Sequence, residues 1–148
     1  MRRIERYMQE AASHIASLQE ALAEIPAGKL DTKSFANLTK LQKFAYEIVL
    51  FRFSKLQDLL GAKLFRAYLE CNGFVTSGLS FEEILKELEK EGIVDIDTWA
   101  QLRKVRNAIA HDYPDEVHEQ VARINYVLQH IDTLLAIYTK IEERCREA

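Results

Sequence analysis

The residues best equipped for chemistry lie in one stretch, Arg106-Asn107-Ala108-Ile109-Ala110-His111-Asp112-Tyr113-Pro114. Arginine presents a planar, permanently charged fork that suits a phosphate. Histidine is the side chain best able to take and give a proton near pH 7. Together they are the ingredients of metal-independent RNA cleavage. A base removes the proton of the ribose 2′-OH and the oxygen attacks the adjacent phosphorus. An acid then protonates the leaving 5′-oxygen, while arginine stabilises charge on the phosphoryl oxygens. One histidine cannot be acid and base at once, so this chemistry suggests two chains per site.

Asn107 and His111 are four residues apart and fall on one face of a helix. Arg106 and His111 are five apart, about 140° around an ideal helix. A long arginine side chain and a helix that loosens before Pro114 would bring them to one phosphate, as would two copies of the helix facing each other. Simpler roles stand beside these. Arg106 can pair with Asp112 or Asp115, His111 can be a residue favoured by the helix dipole, and Tyr113 can pack the turn before Pro114.

Charge is uneven around this stretch. Net charge is −3 over 148 residues, which disfavours a nucleic-acid binder of the whole-surface kind. Yet Glu82 to Asp97 holds seven acids and two lysines, whereas Trp99 to His111 holds Arg103, Lys104, Arg106 and no acid. Arg103 and Lys104 either pair with the acidic segment before them or help to attract RNA phosphate.

The elements that must position these residues are helices. Five Gly and two Pro are too few for the turns of an all-β fold. Ile4, Met8, Ala11, Ile15, Leu18, Leu22 and Ile25 form one helical stripe, ended by Pro26-Ala27-Gly28. A second segment runs from about Asp31 to Gly61, with a kink or break at Gly61 and a continuation through LFRAYLEC. Its middle, FAYEIVLFRF, is apolar on nearly every side, as for a helix at the centre of a bundle. Ser80 with Glu83 forms a capping box that starts a short helix, and Gly92 stops it. Asp97 is the expected N-cap of the next helix, which Pro114 ends near His111 or Asp112. Val117, Val121, Ile124, Leu128, Ile131, Leu135 and Tyr138 then form one heptad seam. The expectation is an all-α fold: a single domain, residues 1–148, built as an antiparallel up-and-down bundle of four main helices plus a short one.

Cys71 and Cys145 form no CxxC pair and read as free thiols. No secretory h-region follows the basic start, and Phe44 to Phe53 is too short to span a bilayer. A cytoplasmic protein is expected. No spacing suits a metal site and no glycine-rich phosphate loop is present, so neither metal nor cofactor is expected. His14, His118 and His130 carry no assigned function.

The run RNAIAHDY resembles the signature of the HEPN superfamily, in the form Arg-x4-His-x-Tyr. In a chain of ten Arg, four His and six Tyr, that pattern arises by chance only about 0.01 times. The form resembles the HepT-like toxins encoded beside minimal nucleotidyltransferase antitoxins, and the likeness covers essentially the whole chain. It implies a homodimeric ribonuclease with Arg106 and His111 as the catalytic pair and motifs from both subunits in one cleft. Asn107 would orient the pair or support the dimer. Tyr113 would accept AMP from the antitoxin. The alternative is a non-catalytic subunit that presents substrate or nucleotide to a separate nucleotidyltransferase, which the acidic charge would suit.

Overall fold

The computed structural model describes residues 2–111 and 116–147. These form helices and no strand: α1 (Arg3–Leu22), α2 (Thr32–Ala36), α3 (Lys40–Leu59), a π-helical turn (Leu60–Leu64), α4 (Phe65–Cys71), α5 (Phe81–Lys90), α6 (Ile96–Ala110), α7 (Val117–Leu128) and α8 (Ile131–Glu147). The all-α expectation holds in that form. No helix among the described residues is long and apolar enough to cross a membrane.

Local chemistry sets the boundaries. Ser80 and Glu83 make the expected capping box, each side chain accepting the other's backbone N–H at 3.2 Å. Gly92 closes α5 at φ +74°. The Gly92 N–H donates to Glu89 and the Ile93 N–H to Leu88, which satisfies carbonyls that the helix end would leave orphaned. Position 92 therefore favours a residue without a Cβ.

Four expectations need correction. The segment from Asp31 is two helices, because two N-caps lie within nine residues of each other. Asp31 accepts from Ser34 at 2.7 Å, and Thr39 and Gln42 form a second capping box. Of the kink or break expected at Gly61, the break is absent: the residue lies in the π turn, and the chain continues as expected into α4. Helix α6 begins at Ile96, capped by Asp95, which accepts from the Thr98 N–H at 2.7 Å and from its hydroxyl at 2.8 Å. The last heptad seam is carried by two helices, interrupted at Gln129 and His130, where the His130 N–H turns back to Val127.

The core runs through α3, the π turn, α4 and α6. Trp99, Phe53, Phe65, Leu56, Leu60 and Leu102 are fully buried, and Trp99 meets Phe65 edge-on at 4.6 Å. Gly61 exists for this packing. A Cβ there would stand 2.9 Å from Trp99 Cζ2. Helix α1 packs along α3. The remaining side of α3 is open, contrary to the expectation of a helix surrounded by others: Leu41, Phe44, Ile48 and Phe51 are 63, 50, 43 and 51% exposed.

The strap between α1 and α3 is tied to α7 by one buried side chain. Asn125 Oδ1 accepts from the Leu30 N–H at 2.8 Å, and its Nδ2 donates to the Leu30 carbonyl at 2.7 Å.

Candidate functional site

Helix α6 carries Arg103, Lys104, Arg106 and Asn107 and ends at His111. Its apolar residues Trp99, Leu102 and Val105 recur every three residues and are buried, which turns Arg103, Lys104 and Asn107 to solvent. Arg106 is half-buried at the edge of that contact.

Arg106 does not wait unpaired. Its Nε donates to Asp58 Oδ1 at 2.9 Å and its Nη2 to Asp58 Oδ2 at 3.0 Å, a bidentate fork onto α3. These bonds hold the guanidinium proton more tightly than usual, against a smaller opposing effect of burial. Sequence reasoning missed Asp58. The signal that could have found it is the spacing 41, 44, 48, 51, 55, 58, a seam of steps three and four that starts apolar and ends in Lys55 and Asp58.

His111 is the C-cap of α6, where the chain leaves the helix at φ −79°, ψ 136°. The last turn tightens rather than loosens, since the His111 N–H bonds the Ala108 carbonyl at 3.3 Å. The His111 carbonyl accepts from Arg123 Nη1 of α7. A cation on a terminal carbonyl is favourable for a helix end. Arg123 is the second residue that sequence reading did not single out. The structure thus anchors the pair through different neighbours, Arg106 on α3 and His111 on α7.

Asn107 is exposed on α6. Arg103 sits over the Phe81 ring at 5.8 Å and lines a shallow hollow of about 390 Å³ with Asp58, Gly61 and Trp99. Among the described residues, neither Arg103 nor Lys104 forms an ion pair with the acidic segment before α6, where Lys90 pairs with Glu87 instead. Tyr113, with Asp112, Pro114 and Asp115, lies outside the described residues, and so does any pairing of Arg106 with those two acids.

A larger cleft of about 830 Å³ opens between the strap at Lys29–Thr32 and α7, reaching Ala108 of α6; His118, Arg123 and Tyr126 line it. Among the described residues, no group of three or more His, Cys, Asp or Glu is gathered to hold a metal ion. Both cysteines are free thiols. Comparison with known proteins yields no matching family profile, no matching curated protein and no matching solved structure.

Proposed function

We propose that the chain is a metal-independent endoribonuclease toxin, silenced when a minimal nucleotidyltransferase antitoxin transfers AMP to Tyr113. One observation carries the reading. Arg106 and His111 sit near and at the end of a helix without acids beyond Asp97, and Arg106 is held by a bidentate carboxylate. Arg106 steadies charge on the phosphoryl oxygens and His111 moves a proton. Asn107 supports the pair, and Arg103 and Lys104 draw the RNA backbone toward it. The setting is the cytoplasm, where RNA is the substrate.

An antiparallel up-and-down bundle and a homodimer belong to the same reading. The exposed seam on α3 supports the dimer, since monomers rarely leave such a continuous apolar patch uncovered. His14 lies beside Arg52, and Glu20 and Glu24 border the same groove as Leu41 and Phe51. Helices α1 and α3 therefore run in opposite directions, with the two acids toward Leu41 and with Arg52 and Lys55 toward Phe51. A two-fold axis near Ala45–Glu47 sets Leu41 of one copy against Phe51 of the other and brings the acidic end to the basic end.

The test replaces Arg106 and His111 separately with Ala. Expression of the parent arrests growth and cleaves RNA, and both variants lose these effects. If both variants match the parent, the reading is wrong. Incubation with the nucleotidyltransferase and ATP adds AMP to the parent and none to Tyr113→Phe; AMP on another residue removes that part alone. A second reading, a non-catalytic subunit of a nucleotidyltransferase, is favoured by the exposed acids Glu82, Glu83 and Glu89 of α5. Tight binding to the transferase with no cleavage of any RNA would select it.

A further inference from the structure

Metal-free cleavage needs two proton-transfer groups, and the sequence motif offers one. The cleft beside the end of α6 contains another. His118 stands exposed in the first turn of α7 and lines that cleft together with Ala108, Lys29, Arg123 and Tyr126. His111 follows Ala108 by three residues, and its carbonyl is held by the same Arg123. The last turn of α6 thus meets the cleft through Ala108 and Arg123, both of which line it. About 830 Å³ is ample for a nucleotide.

We propose that His118 is the second proton-transfer residue of the reaction, acting with His111 of the same chain. The inference rests on the ribonuclease reading. The neutral imidazole of one takes the proton of the 2′-OH as the O2′–P bond forms. The P–O5′ bond breaks, its electron pair stays on O5′, and the imidazolium of the other gives O5′ a proton. The products are a 2′,3′-cyclic phosphate and a 5′-OH, and no co-reactant is consumed. Among the described residues, the other charged groups lining the cleft are Lys29, Asp31, Glu119 and Arg123. Lys29 and Arg123 suit the phosphate. The Asp31 carboxylate is engaged as the N-cap of α2. This arrangement meets the need for two histidines within one protomer.

The experiment uses the full chain and a fluorogenic oligoribonucleotide. The parent shows a bell-shaped dependence of kcat/KM on pH. His118→Ala lowers kcat at least about 100-fold, leaves the melting temperature unchanged, and removes one limb of the bell. His118→Asn, which keeps a polar group but cannot carry the proton, does the same. A parent-like rate, or a raised KM with both limbs retained, overturns the proposal while the ribonuclease reading stands. A parent that cleaves no RNA, or a His111→Ala variant that cleaves like the parent, overturns both. Co-expressed His111→Ala and His118→Ala chains give no recovered activity when both histidines serve from one chain. Recovery would place them on different chains and overturn the single-chain claim.

Discussion

Arg106 and Asp58, 48 residues apart in sequence, meet in a two-pronged ion pair between α6 and α3, with both side chains partly open to water. A pair this exposed contributes little to folding, about 1 kcal/mol or less. Its larger effect is to fix which way the guanidinium points. Asp58→Ala should therefore leave urea unfolding almost unchanged and lower the kcat of RNA cleavage about ten-fold, because a misdirected group loses orientation. Parent-like cleavage would show that Asp58 does not orient Arg106.

The seam on α3 makes a separate prediction. Light scattering should give twice the chain mass for the parent and the single chain mass for Ile48→Glu, which sets a charge in the middle of the apolar patch. A monomeric parent removes the homodimer.

Asn125 satisfies both backbone groups of Leu30, which is buried. Asn125→Ala leaves a buried donor and acceptor without partners, at about 2–4 kcal/mol. Chemical denaturation reads the loss, and amide exchange of Leu30 should accelerate. Loss of stability without faster exchange at Leu30 would contradict the tie.

His14 binds its proton less readily than an ordinary histidine, first because it is partly buried and then because Arg52 is near; Glu10 opposes them, and Lys55 adds a smaller push in the same direction as Arg52. Its Nδ1 lies 3.0 Å from Arg52 Nη1, a bond that the neutral ring accepts. Its folded pKa lies below the unfolded value of about 6.5, so the unfolded chain binds more protons between the two. Stability is intact above the unfolded value and falls as pH drops through this window. The melting temperature should fall between pH 7.5 and 5.5, and fall less in His14→Gln. Equal falls in both proteins would exclude His14 as the cause.

What could be read beforehand was local. The Ser80–Glu83 box and the stop at Gly92 each involve neighbours within a few residues, and their chemistry is written in adjacent letters. Helix identity followed from the apolar period. The pairing of Arg106 with Asp58, the hold of Arg123 on His111 and the tie between Asn125 and Leu30 all join separate elements of the chain; the α3 spacing could single out Asp58, but no short-range pattern names its partner or encodes the other two contacts. Gly61 shows the same divide. A glycine within a helix suggested a weak point, whereas it makes room for a tryptophan 38 residues away. The solvent-facing seam on α3 reads as buried because apolar residues facing a core and facing water look alike in sequence.

The tie between Leu30 and Asn125 spans 95 residues, which has a consequence for the order of assembly. Helix α1 and the strap are synthesised early but have nothing to close on until α7 exists. Long-range contacts of this kind form late, after the loop between them has been closed. The cleft between strap and α7 therefore arises only once α7 is in place. A growing or truncated polypeptide that stops before α7 carries Arg106 and His111 but lacks Arg123 and the α7 wall of the cleft.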